Sequence, residues 1–139
     1  MKNFYREAII WRQLKHQSIL PFLGIDIRTS KGNPPKPRMV SPWMSHGNVI
    51  ETARHLKSDR LLIDTAEGIK YLHEQGVIHG DIHGNNILID EAYHVQINDF
   101  GISMIYGSAT ATLGSHSGFS AQWASPELLE GAELSRPTK

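Results

Sequence analysis

The chain has 139 residues, 40% of them apolar and 20% charged, with 14 basic side chains against 14 acidic ones, eight histidines and no cysteine. That is enough apolar material for one packed domain, and a formal net charge of zero argues against a basic nucleic-acid platform. The lack of cysteine excludes disulfides, thiolate zinc sites and a cysteine nucleophile; no long apolar run spans a membrane, and Met1 to Tyr5 is not signal-like. These features together predict a soluble, cytoplasmic protein.

Phe4 to Lys15 reads as a helix, because Phe4, Ala8, Trp11 and Leu14, with Ile10, recur at helical spacing. Glu7 lies near that stripe. His16 to Pro21 reads as a turn into a strand over Phe22 to Ile27. Lys31 to Pro37 reads as a connection rich in proline and glycine, followed by a short strand over Arg38 to Ser41 that Pro42 ends. Beyond Gly47-Asn48 the pattern turns helical, first over Val49 to Leu56. A longer helix runs from Arg60 to about Glu74, with Ser58-Asp59 placed to cap it and Gly76 to end it. Val77-Ile78, Ile87 to Ile89 and Val95 to Ile97 are short apolar runs. Ile102 to Phe119 reads as a long loop, and Ser125-Pro126-Glu127 as the opening of a short helix through Leu129.

Three polar clusters interrupt this pattern: His79 to Asn86 between apolar runs, Asn98-Asp99-Phe100-Gly101 directly after one, and Trp123 to Glu127 beyond the long loop. Each by itself is ordinary, since a lone loop aspartate most often caps a turn. Their order and spacing carry the signal. His79-Gly80-Asp81 with Asn86 five residues after the aspartate, then Asp99-Phe100-Gly101, then Ser125-Pro126-Glu127, resembles the eukaryotic protein kinase domain, nearest its tyrosine-kinase-like branch. Tyr71 to Ile78 resembles the helix end that leads into the catalytic loop of that family. Glu7, nine residues before His16, matches the helix glutamate that pairs with a strand lysine.

The resemblance implies an α+β, bilobal fold truncated at both ends, with residues 1–43 a partial N-lobe up to the hinge and 44–139 a partial C-lobe. It implies ATP and Mg2+ as cofactors and protein Ser/Thr hydroxyls as substrate, with Ser120 lying three residues before Trp123 in the substrate-docking loop. Phosphoryl transfer falls to Asp81, His83 and Asn86, with Asp81 accepting the hydroxyl proton. Asn86 and Asp99 are the implied metal ligands, since magnesium takes hard oxygen donors. Nucleotide contacts fall to Glu7, to Ser41, Pro42, Trp43 and Met44 at the gatekeeper and hinge, to Leu88 and to Asp99. Trp11, Phe22, His79 and Phe100 are expected to stack as an internal column, which is also plain core packing.

The pattern has departures. Gly80 stands where the family carries an arginine that pairs with a phosphorylated activation loop, so Ser103 to Ser120 is expected to need no such phosphate. His83 stands where Ser/Thr kinases carry a lysine that touches the transferred phosphate; a partly cationic histidine there and a loop histidine without a catalytic role are both open. The glycine-rich loop and strand lysine do not precede Glu7, and the arginine partner of Glu127 does not follow it. The expectation is therefore negligible kinase activity from these residues alone. Two other readings compete. A pseudokinase scaffold would bind without turnover. A small-molecule phosphotransferase of the aminoglycoside or choline kinase type shares His-Gly-Asp but lacks the long segment and the Pro-Glu motif.

Overall fold

The apolar stripe at the start of the chain folds as helix α1 (Lys2–Gln13) in the computed structural model, which describes residues 2–30, 33–52, 59–101, 103–105, 121–123 and 126. Ala8, Ile10 and Trp11 on its inner face, and Leu14 just past it, are buried, while Tyr5 and Ile9 face outward. The helix ends slightly before the predicted Lys15, where Leu14 N–H turns back to the Trp11 carbonyl at 3.1 Å. The Trp11 indole N–H donates to the Leu20 carbonyl at 2.6 Å and locks the following turn against the helix.

That turn is pinned to the rest of the chain from two sides. His16 stacks on Tyr71 with ring centroids 4.8 Å apart, and Lys15 N–H donates to the Tyr71 hydroxyl at 2.8 Å. Leu20 N–H donates to the Ile97 carbonyl and Ile97 N–H to the Ser18 carbonyl, both at 2.9 Å. Strand β1 (Gly24–Ser30) then pairs antiparallel with β2 (Asn33–Val40), Gly24 standing opposite Val40 and Ile27 opposite Pro37. Here the sequence reading falls short, because β2 extends back through the prolines read as a connection. β1 is the only partner of β2 among the described residues. An edge strand tolerates proline where the missing donor faces away from the partner, and that geometry is invisible to a reading based on proline content.

Asn48 caps the short helix α2 (Val49–Thr52), its Oδ1 accepting the Glu51 N–H at 3.1 Å. The predicted continuation to Leu56 lies outside the described residues, as does the capping Ser58. Helix α3 (Asp59–Glu74) buries Leu61, Gly68 and Leu72. It ends as predicted, with Gly76 at φ 68° donating its N–H to the His73 carbonyl at 2.9 Å.

β3 (Val77–Ile78), β4 (Ile87–Ile89) and β5 (Val95–Ile97) match the three short apolar runs. β4 and β5 form a hairpin with Ile87 opposite Ile97. β6 (Met104–Ile105) pairs with β3 inside what reads in sequence as a loop; a two-residue strand has no local signal, and its partner creates it. The core is one apolar cluster in which Ile19, Leu72, Ile89, Val95, Ile97 and Phe100 are almost wholly buried. The described residues thus form an α+β arrangement of three two-stranded antiparallel sheets with helices packed against them. No helix among them is long and apolar enough to cross a membrane.

Candidate active site

Where β2 ends, the chain runs through Ser41, Pro42, Trp43 and Met44 along the wall of a cleft of about 780 Å³. Glu7 and Trp11 of α1 line it, with Leu88 of β4 and Asn98-Asp99 beyond β5. All the residues read from sequence as nucleotide contacts therefore meet in one cleft, from segments far apart in the chain. Trp43 is 91% exposed and stands at the mouth. The segment after Met44 is tied down by Ile89 N–H, which donates to the Gly47 carbonyl at 2.9 Å. The cleft is also lined by His46, Glu51 and Asn98, which were not read as site residues. Asn98 had a signal in its place before Asp99-Phe100-Gly101. Glu51 had none, because only the packing of α2 turns it toward the cleft.

Asp81, His83 and Asn86 form a second group beside the cleft. Gly84–Asn86 is a single 3-10 turn capped by His83, whose Nδ1 accepts the Asn85 N–H at 3.2 Å. Asn86 Nδ2 donates to the Asp81 carbonyl at 3.0 Å and reaches Asp81 Oδ2 at 3.4 Å. With Nδ2 committed in this way, Asn86 Oδ1 has no hydrogen-bond partner among the described residues. His83 Nε2 lies 3.4 Å from Asp81 Oδ2, and its side chain is only 7% exposed. The ring of Trp123 lies nearly parallel to that of His83, with centroids 6.3 Å apart. The two groups are joined through backbone, since Asn98 N–H donates to the Asn86 carbonyl at 3.0 Å.

β5 delivers Asp99 at φ 64°, a left-handed conformation uncommon for a residue with a side chain. Asp99 Oδ1 accepts the Gly101 N–H at 3.3 Å, which stabilises the turn. The same turn drives Phe100 into the core at 0% exposure, where its ring meets His79 at 5.2 Å and Trp11 at 6.0 Å. Trp11 in turn meets Phe22 at 5.3 Å. The four residues expected to form a column are therefore in contact, running from Phe22, just before β1, through α1 to the loop that carries Asp81.

His79 holds that loop through both ring nitrogens. Nε2–H donates to the Asn98 carbonyl at 2.8 Å, and Nδ1 accepts the Asp81 N–H at 3.2 Å. Both bonds are made by the neutral ring. Burial pushes the imidazole below the ordinary histidine range, offset in part by the Asn98 carbonyl and the Asp99 and Asp81 carboxylates. Gly80 follows at φ 85°, a conformation that a side chain strains, so the residue in the arginine position also meets a backbone requirement. Ser103 Oγ donates to the His79 carbonyl at 3.1 Å, and Arg6 Nη2 donates to the Ser103 carbonyl at 2.8 Å, linking α1 to the segment after Gly101.

Glu7 faces Asp99 across the cleft. Its carboxyl is raised above the ordinary range, first by burial and then by the Asp99 charge. No basic side chain pairs with it among the described residues. Ser120, Ser125 and Glu127, singled out in the sequence, lie outside the described residues, and so does most of the segment between Ile105 and Ala121.

Known proteins match this chain along almost its whole length. The profile of the family described as protein tyrosine and serine/threonine kinase matches residues 1–138. Serine/threonine-protein kinase STY46 of Arabidopsis thaliana is 29% identical over 139 residues, which covers 93% of this chain and 22% of that protein. Serine/threonine-protein kinase CTR1 of the same plant is 29% identical over 140 residues, covering 93% of this chain and 16% of that protein. Tyrosine-protein kinase receptor TYRO3 of Gallus gallus is 30% identical over 143 residues, covering 93% and 16%. The chain spans about a fifth of the length of the curated relatives it matches first.

Proposed function

The chain belongs to the protein tyrosine and serine/threonine kinase family, and on that footing we propose that it carries a Mg-ATP site for phosphoryl transfer to protein serine and threonine hydroxyls. Such transfer needs positioning and charge neutralisation more than covalent help. Pro42 offers a carbonyl and Met44 an N–H to the adenine edge, and Leu88 an apolar floor. Asp99 and the uncommitted Oδ1 of Asn86 are hard oxygen donors of the kind magnesium prefers, so the residues present fit the ion. When bound, magnesium supplies charge neutralisation at the phosphate oxygens. Asp81 orients the acceptor hydroxyl and takes its proton. The Ser/Thr preference rests on Ser120 before Trp123 and on relatives such as STY46 and CTR1, which are named serine/threonine kinases.

One observation carries the reading: Glu7, the hinge, Leu88 and Asp99 line a single cleft, with Asn86 tied to Asn98 beside it. Calorimetric titration with ATP in the presence of magnesium tests it. Asp99→Asn should weaken magnesium-dependent nucleotide binding by about tenfold or more, as expected for loss of a charged ligand. Equal binding by the two chains would refute the assignment. The proposal keeps residues 1–43 as the N-lobe part and 44–139 as the C-lobe part, in a cytoplasmic protein.

We further infer negligible turnover by these 139 residues alone, because the Glu7 carboxyl faces Asp99 and no basic side chain pairs with it among the described residues. Robust phosphorylation of a generic protein substrate by this chain would count against that part. The same observation favours a scaffolding role as the second reading. Mg-ATP binding without turnover, both in this chain and in a longer one containing it, would decide for the scaffold.

A further inference from the structure

In the kinase pattern, the position of His83 suggests a cation aimed at the transferred phosphate. The structure turns the side chain elsewhere. Its ring is almost wholly buried, with Nδ1 facing the Asn85 N–H at 3.2 Å and Nε2 facing Asp81 Oδ2 at 3.4 Å and Asn86 Nδ2 at 3.1 Å. One ring cannot accept at both nitrogens, so the surroundings select the tautomer. A proton on Nδ1 would confront the Asn85 N–H, which has no other acceptor in the 3-10 turn that His83 caps. A proton on Nε2 meets no such conflict among the described residues. The Asn86 amide already donates to the Asp81 carbonyl at 3.0 Å, and its second hydrogen points toward Asp81 Oδ2 at 3.4 Å. The close approach of Nε2 and Nδ2 is then that of two donors converging on one carboxylate oxygen.

Resting on the kinase reading above, we propose that His83 is a positioning residue for Asp81: the neutral ring, oriented by the Asn85 N–H, donates Nε2–H to Asp81 Oδ2. With Asn86 it holds one carboxylate oxygen, which sets the plane of the group that receives the substrate proton. The 3.4 Å separation is long for a hydrogen bond, as such contacts often are before substrate binds, and it shortens in the reactive complex. A neutral donor thus occupies the place of the usual cation, and no phosphate contact by His83 is required.

The test has a spectroscopic arm and a kinetic arm. Long-range proton–nitrogen correlation spectra of the full chain, labelled in its histidine rings and assigned with His83→Gln, should show His83 as the Nε2–H tautomer at neutral pH. An Nδ1–H tautomer or a fully protonated ring would overturn the proposal, whatever the activity. In Mg-ATP phosphorylation assays of a longer chain that contains these residues, His83→Ala should lower kcat by about ten- to a hundredfold while KM for ATP stays within about twofold. His83→Gln, a neutral donor with longer reach, should restore most of that loss. His83→Asn separates positioning from capping, because it can still accept the Asn85 N–H but stops short of Oδ2; it should behave like His83→Ala. An Asn variant as active as the parent would reduce His83 to a cap, and a His83→Lys variant faster than the parent would restore the phosphate-binding reading. If no variant and no parent transfers phosphate in a longer chain that contains these residues while the Nε2–H signal is present, the phosphoryl-transfer reading falls and the hydrogen bond stands.

Discussion

Replacing Gly68 with alanine tests how closely α3 carries the strand that leads to Asp99. In an ordinary helix interior this change stabilises by about 1 kcal/mol, because alanine is the better helix former. Here a Cβ on Gly68 would stand 2.7 Å from Ile97 Cδ1, 3.1 Å from Ser18 Cβ and 3.2 Å from the Ser18 carbonyl oxygen. The isoleucine tip could turn in open space, but Ile97 is fully buried, and the Ser18 carbonyl is held by the Ile97 N–H at 2.9 Å. Overpacking of a closed site costs roughly 1–3 kcal/mol, which offsets or exceeds the propensity gain. We expect a net loss of up to about 2 kcal/mol, read as a fall in Tm of up to roughly 6 °C for a chain of this size. Thermal unfolding followed by circular dichroism measures it. Because Ile97 is followed directly by Asn98 and Asp99, Mg-ATP affinity should fall together with Tm. A rise in Tm would show that the contact between α3 and β5 is loose enough to absorb a methyl group, and the reasoning would fail.

Phe100→Ala removes the fully buried ring between Trp11 and His79 and should cost about 3–5 kcal/mol, enough to abolish a sharp denaturant transition in a small domain. A transition shifted by less than about 1 kcal/mol would show that the ring is not packed as described. His79, held neutral by burial, binds a proton less readily folded than unfolded. The unfolded chain then takes up more protons as pH drops below the ordinary histidine value of about 6.5, so this contribution to stability is intact above that pH and is lost progressively beneath it, toward the lowered value. Denaturant midpoints measured from pH 8 to pH 5 should show that fall, and a flat profile would contradict it. Glu7 has the opposite sign: its raised carboxyl makes the folded state the better proton binder above the ordinary glutamate range. Glu7→Gln should therefore raise Tm at pH 7 and lose that advantage in acid, and a lower Tm at pH 7 would mean that Glu7 has a favourable partner.

Much of the site was legible because its chemistry is local. The short spacing from Asp81 to Asn86, and the Asp99-Phe100-Gly101 triplet after an apolar run, identify a family without reference to distant contacts. Helices α1 and α3 were legible for a similar reason, since a buried face repeats every turn and the stop at Gly76 is chemical. The strand errors have a common cause. β2 continues through prolines because one edge lacks a partner among the described residues, and β6 exists because Val77-Ile78 is beside it. Neither fact is a property of the segment itself.

The sequence by itself determined which residues are proposed to carry the chemistry, because carboxylates, an amide and glycines at set spacings are needed wherever such a loop folds. Only the tertiary structure decided what those residues face. Among the described residues Glu7 faces Asp99 and pairs with no cation, and the ring of His83 turns to Asp81 instead of outward. Glu51 joins a cleft that its own neighbours do not announce. The physical reason is range: hydrogen bonds within a turn are set by a few adjacent dihedrals, whereas the partner of a charge is set by how α1, β4 and β5 pack around one core.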